Sequence, residues 1–518
     1  MNDTPPAVTA PPRLDGVRSA TVTDAIRKPR ARRFGRVALI TAALAGAVAV
    51  GTAVTSGTGR VVQAVGTPGA GGEYHPLTPT RILDTRDPLL DVAEGDGPVG
   101  RKPMATKDGT STFDVQVAGV GGLPGFLEAA DGTDANVLAV AVNITVVTPT
   151  QQGYLRAFGK GAAEGETSVV NFDANTVVPN AAILRPGLDG KLTIRLVAPA
   201  GTGDADVLID LFGWFSSSNV LESGSRVVPV GPGRVYDSRE APFGAAPIAG
   251  DAQVAIPVRG ADSVNPDTTD LVPDNAAIDG VLVNLTAVNS LPGSQPTHIS
   301  ILPDAPAAGE RPTTSNLNLI AGQTRSVMAI VPVGADGAIH LFNRASSTHL
   351  IVDIVGYLQP AADPTSNAGR VVPLVAPYRA LDTRTPEHGA TPLGPAMSET
   401  WSFDDFIADV RIGEEWVGAQ LGLLGNLTAT ELGRQYPTQY TTSFLTAYPP
   451  TADGVPPHVS NIFISEAQTL PNLALLKYGP KADDERCQDA TCVSFFNRGG
   501  YLHYLLDVSA VILADTPS

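Results

Sequence analysis

What most limits the fold of this chain is a block of sequence that occurs three times. The segment PTRILDTRDP at residues 79–88 returns as PGRVYDSREAP at 232–242 and as PYRALDTRTP at 377–386. Each is followed by a stretch with a central Asn-x-Thr: VAVNITVV, VLVNLTAV and LLGNLTAT. An Asn-bearing turn and an aliphatic run come next, as VVNFDANTVVPNAAIL, SNLNLIAGQTRSVMAIV and SNIFISEAQTLPNLALL. Each copy closes on an apolar run holding one aspartate: VLIDLFGWF, LIVDIVGYL and YLLDVSAVIL. Four marks in the same order, three times over, define three tandem units at about 73–218, 224–360 and 368–515, joined by short SSSN and PAADPTSN linkers.

The period inside a unit is that of strands. From Val137 to Val147, Leu138, Val140, Val142, Ile144 and Val146 alternate with smaller or polar residues, so one face is built for a core. Further short runs (YLRAF, SVVNF, AAILR, KLTIRLV) are separated by Gly, Pro, Asn and Asp, and no amphipathic helix is evident after residue 73. About eight strands per unit predict an all-β protein of three β-sandwich, jelly-roll-like modules; the alternative is a closed β-barrel in each.

The opening R-x-x-D-[TS]-R, the N-x-T middle and the aliphatic-Asp close together resemble the exported β-rich repeats of actinobacteria. The resemblance covers most of 73–515 and implies a cell-surface or secreted product with no assigned catalytic role. The third unit departs from the pattern: Ala510 stands where the others have Gly213 and Gly356, and a cysteine-bearing insertion is its own.

Charge and hydropathy divide the chain. Residues 1–36 carry eight Lys and Arg against three Asp, although the whole chain has a net charge of −17. Residues 37–59 carry no charge and are long enough to cross a bilayer, with basic residues before them and none within them. The expected order is a disordered basic cytoplasmic head (1–36), a transmembrane helix or cleaved signal peptide (37–59), a linker (60–72) and an extracellular body. If the leader is cleaved, the body is secreted. An acidic body is a poor partner for nucleic acid, whose binding depends on phosphate neutralisation. Cys487 and Cys492, the two cysteines, fit a disulfide formed outside the cell, and no zinc-ligand spacing surrounds them.

The closing aspartates are expensive inside apolar strands and need partners. The openings supply them: Arg81 or Arg86 for Asp210, Arg234 or Arg239 for Asp353, and Arg379 or Arg384 for Asp507. Asp84, Asp237 and Asp382, two residues before an arginine on the same strand face, would complete each structural clasp. The rival reading is a carboxylate pair such as Asp84 with Asp210 acting on a glycoside. Asn143 with Thr145, Asn284 with Thr286, and Asn426 with Thr428 match the N-glycosylation pattern, but an inter-strand or loop-anchoring hydrogen bond explains the same spacing.

Signatures of catalysis are sparse. No G-x-S-x-G, H-E-x-x-H or P-loop occurs, and the seven histidines lack metal-ligand spacing. DPLLDVAEGDG lacks the residue order of a calcium loop. No metal or cofactor is implied. The third unit holds seven of the eleven tyrosines, and Tyr436 and Tyr440 lie in a polar, Pro-containing stretch suited either to sugar stacking or to pinning a loop. The expected function is non-catalytic: an envelope spacer, adhesion or binding module, with a cell-envelope glycan or another surface protein as partner. The alternative is a cell-wall or glycan hydrolase with its active site in one module only.

Overall fold

Alternating apolar side chains between Gly-, Pro- and Asn-rich turns fold each unit into eight main strands. A computed structural model describes residues 71–86, 100–129 and 134–515, except 218–219, 221, 265–266, 290, 413–414, 434–435, 437–438 and 482, together with the backbone at 62–63. The basic head and the apolar run at 37–59 lie outside the described residues. Among those described, no helix is long and apolar enough to cross a membrane.

In the first module the strands are β1 (Tyr74–Asp84), β2 (Phe113–Gln116), β3 (Val137–Val147), β4 (Gly153–Gly159), β5 (Val170–Phe172), β6 (Val177–Leu184), β7 (Lys191–Val197) and β8 (Asp204–Ser216). The second repeats them as β9 (Ser225–Asp237), β10 (Ala252–Pro257), β11 (Gly280–Asn289), β12 (Thr297–Leu302), β13 (Leu317–Leu319), β14 (Gln323–Pro332), β15 (Ala338–Asn343) and β16 (His349–Pro360). The third has β17 (Val371–Asp382), β18 (Met397–Ser402), β19 (Gln420–Thr430), β20 (Thr442–Tyr448), β21 (Ile462–Ser465), β22 (Thr469–Lys477), β23 (Cys492–Asn497) and β24 (His503–Leu513).

Pairing is antiparallel and the topology is the same in all three modules. An inner sheet ordered β1-β8-β3-β6 faces an outer sheet ordered β2-β7-β4-β5, and the counterparts eight and sixteen strands later follow the same order. That order is a jelly roll. The barrel alternative is not adopted: no sheet of these modules closes on itself among the described residues, and each sandwich encloses its own apolar cluster. Among the described residues of the third module a short α-helix, Asp404–Asp409, and two 3-10 turns, Pro386–His388 and Glu485–Cys487, interrupt the strands.

The modules do not hang in a row from their linkers. A fourth apolar cluster draws Tyr74, Ala141 and Ile183 from the first, Leu282 and Met328 from the second, and Leu424 and Leu475 from the third. The central strands of the inner sheets are therefore covered on both faces: all eleven residues of β3 are buried. At about 1.5–3 kcal/mol for each large side chain withdrawn from water, this shared core is a major part of the stability. The inner sheets of the first two modules join where Ser225 pairs with Tyr74, and Gly72 bridges Val371 of the third. The presumed linker is partly structured too, since Val62 and Gln63 pair in parallel with Val410 and Arg411.

Local chemistry follows from this closure. A Cβ at Gly213 would lie 2.1 Å from the Tyr74 hydroxyl, so glycine is required there. In the third module Val371 stands at the position of Tyr74, which leaves room for Ala510. The equivalent residues Glu73, Arg226 and Arg370 meet where the modules join: Arg226 Nε donates to Glu73 at 2.8 Å, and Arg370 lies 3.5 Å from the same carboxylate.

Candidate functional site

One row across each inner sheet carries the recurring polar residues. Arg81 pairs with Asp210, and Asp210 with Asn143; the second and third modules repeat this as Arg234–Asp353–Asn284 and Arg379–Asp507–Asn426. The first arginine of each opening grips the strand aspartate with two nitrogens: 2.8 and 3.1 Å for Arg81, 2.8 and 3.2 Å for Arg234, 2.7 and 2.9 Å for Arg379. It also reaches the second aspartate, at 3.2 Å in the case of Asp84. Arg86, Arg239 and Arg384 bind only that second aspartate, each through its side chain and its backbone N–H.

The shared strand face expected for Asp84 and Arg86 is not what forms. Asp84, Asp237 and Asp382 end their strands, and the arginines two residues on lie in the turn that follows. A carboxylate that accepts from the N–H two residues ahead closes such a turn, which uses the same spacing without a strand.

The two carboxyls of a cluster are driven apart. Burial pushes Asp210, Asp353 and Asp507 above the usual carboxylate range despite their arginines. Burial also acts on Asp84, Asp237 and Asp382, but hydrogen bonds and charge from two guanidiniums outweigh it and hold them below that range. Every cluster is the same arginine-locked set.

The asparagines beside the clasps link one module to the next. Asn143 donates to the Ser315 carbonyl of the second module at 3.0 Å, Asn284 to the Ser460 carbonyl of the third, and Asn426 to the Ser168 carbonyl of the first at 2.7 Å. The links therefore run in a closed cycle. Asn143 and Asn284 are buried, with their amides engaged, which is the hydrogen-bonding rather than the glycosylation use of the motif. Thr145, Thr286 and Thr428 are buried beside them, and Thr286 shares a hydrogen bond with Ser326 at 2.8 Å. Asp353 also accepts from the Ser460 N–H, so the clasp of the second module touches the third.

A second set of asparagines completes two of the three seams. Asn180 donates to Asn426 at 2.9 Å and accepts from the Leu473 N–H; Asn472 donates to Asn284 at 2.7 Å and accepts from the Met328 N–H. These acceptors satisfy buried edge-strand amides of the inner sheets that no neighbouring strand pairs. The corresponding residue of the second module is Val327, which can do neither. Accordingly, Asn143 Oδ1 is buried without a hydrogen-bond partner, beside a cavity of about 20 Å³. Although Asn180 and Asn472 stand within the recurring third mark, their spacing alone gave no partner.

Cys487 and Cys492 form a disulfide. Tyr436 and Tyr440 are 45% and 39% exposed, and Tyr436 packs against Tyr501 with ring centroids 5.0 Å apart. Histidines serve local packing: His75 stacks on Trp214, while His349 and His503 hydrogen-bond Ser238 and Thr383. No metal-holding group of His, Cys, Asp and Glu occurs among the described residues.

No family model matches the chain, and no curated protein matches it. Among solved structures it is similar to the N-terminal CBM22-1–CBM22-2 tandem domain of Paenibacillus barcinonensis Xyn10C, at 11% identity over 55% of this chain and 99% of that one, with a TM-score of 0.15. It is also similar to a Sulfolobus Turreted Icosahedral Virus structure, at 10% identity over 85% and 91%, with a TM-score of 0.14. A structure described as the triple jelly roll fold of an archaeal virus gives 10% identity over 85% and 90%, also with a TM-score of 0.14. The fold assignment above rests on strand order, not on these overlaps.

Proposed function

We propose that this chain is a non-catalytic surface head: three jelly rolls closed into one rigid body, held outside the cell by residues 37–59 and used for adhesion or binding in the envelope. The observation that carries this reading is the shared core with its cycle of Asn-to-carbonyl links. Three modules packed side by side add rigidity and width rather than reach, so a binding platform fits better than an extended spacer. A hydrolase with one active site calls for an open acid pair in a single module. Here the aspartate pairs recur in every module, each locked by arginine, as a folding role requires. The exported, actinobacterial character belongs to the same proposal and is supported by the basic head, the apolar run and the three sequence marks.

Labelling intact cells with a membrane-impermeant amine reagent tests the placement. The body is expected to be labelled without lysis, and N-terminal sequencing then tells an anchored form from a cleaved one. Labelling that appears only after lysis would overturn the proposal.

A further inference from the structure

The symmetric features of the molecule are consumed by its assembly, so a specific task should lie where the modules differ. One such departure is at the seam between the third and first modules. Thr148, Asn289 and Glu431 occupy the same position, five residues after the Asn of the Asn-x-Thr strand. In the second module Asn289 is fully buried and ties down the carbonyls of Gln295 and Ile320, which closes the turn. Glu431 in the third module, like Thr148 in the first (φ 42°), takes a left-handed conformation (φ 60°), and only in the third does the chain go on into the tyrosine-bearing loop.

Beside that loop lies a cleft of about 670 Å³, within the usual size range of ligand sites and at a module interface, where such sites concentrate. A second lobe of about 340 Å³ shares Gln152, Asp173 and Pro199 with it. The polar lining comes from Gln152, Asn171 and Asp173 of the first module and Glu431, Glu466 and Thr469 of the third. None of its described lining residues is Lys, Arg or His. Amides and carboxylates offer paired donors and acceptors for vicinal hydroxyls, and the excess of carboxylates disfavours phosphate or uronate ligands, with Arg325 and Arg384 offsetting part of the charge of Asp173 and Glu431.

Aromatic surface flanks these groups. Tyr154 lines the cleft, with the Arg156 guanidinium 5.2 Å from its ring centroid. The exposed Tyr436 and Tyr440 do not line the cleft, but the backbone near them is tied to residues that do. The Glu466 N–H donates to the carbonyl of Thr441, next to Tyr440, at 2.8 Å, and the Gly433 N–H donates to Tyr501, on which Tyr436 packs. Planar polar groups beside exposed rings suit a ligand with hydroxyl edges and apolar faces.

We infer that this cleft binds a neutral oligosaccharide. The inference deepens the binding-head reading and rests on it.

Affinity electrophoresis of the full chain in mild detergent tests it, with gels containing soluble neutral glucan, mannan or arabinogalactan, and polygalacturonate as the anionic control. At least one neutral polymer should retard the chain and polygalacturonate should not. Tyr440→Ala and Glu466→Gln should each weaken that retardation about tenfold or more, the equivalent of roughly 1.4 kcal/mol, with an unchanged melting temperature. No retardation by any neutral polymer, or retardation that neither variant weakens, would overturn the assignment; the surface head would still stand or fall by cell labelling. Release of new reducing ends by the wild type, lost in Glu466→Gln, would keep the cleft as a sugar site and remove the non-catalytic reading instead.

Discussion

Asn426 in the third module donates to the backbone carbonyl of Ser168 in the first at 2.7 Å, joining the last module of the chain back to the first. With the Asn143–Ser315 and Asn284–Ser460 links, this contact makes the three jelly rolls a trimer within one polypeptide. Tethering converts association into an intramolecular event, so assembly does not depend on protein concentration. Tandem duplication also freed equivalent positions to diverge. Three identical charges in place of Glu73, Arg226 and Arg370 would repel, whereas one glutamate between two arginines closes the junction.

The asparagines are not equivalent, and their substitution should show it. Asn426→Ala removes two hydrogen bonds, to Ser168 and from Asn180, and is expected to cost about 2 kcal/mol. Asn143→Ala removes one donor bond and an oxygen already without a partner, so its cost should be nearer 1 kcal/mol. Denaturant midpoints measured side by side check the order; equal losses would count against the role given to Val327.

The clasp is a buried pair whose removal should be asymmetric. Asp353→Ala leaves the buried Arg234 guanidinium with only its longer contact to Asp237 and is expected to destabilise by about 3 kcal/mol, whereas Arg234→Met combined with Asp353→Leu should recover most of that loss. If the single variant melts like a surface control, the clasp has no structural weight.

Acid should weaken the fold through the turn aspartates. Asp84, Asp237 and Asp382 lie below their unfolded value of about 3.9, so their stabilisation is full above that pH and is lost as pH falls through the lower folded values. Asp210, Asp353 and Asp507 act in the opposite sense: being raised, they favour the fold below about 3.9 and lose that contribution as pH rises through their folded values. The drop in melting temperature between about pH 4 and pH 2 should therefore be smaller in Asp237→Asn than in the wild type. An identical drop would deny the turn aspartate its part.

The strand content and the clasp residues are legible in the sequence because period-two patterning and an aspartate in an apolar run each leave few physical options. The choice between Arg81 and Arg86 was not, since both lie within reach and only the turn after Asp84 separates their roles. The ring was hidden for a different reason: Asn143, Asn284 and Asn426 bond to backbone carbonyls, which carry no sequence mark. One sign of it was present. Leu282 and Leu424 stand at the position of Ala141, on the face that alternation assigns to solvent, and large aliphatics there mean a second buried face.

The central claim is that the three modules form one cooperative body around a shared core, and calorimetry of the full chain tests it most directly. A single transition with a calorimetric-to-van't Hoff enthalpy ratio near 1 is expected, as for any all-or-none unit. Separate melting of three independent modules, with a ratio of about 3, would contradict it.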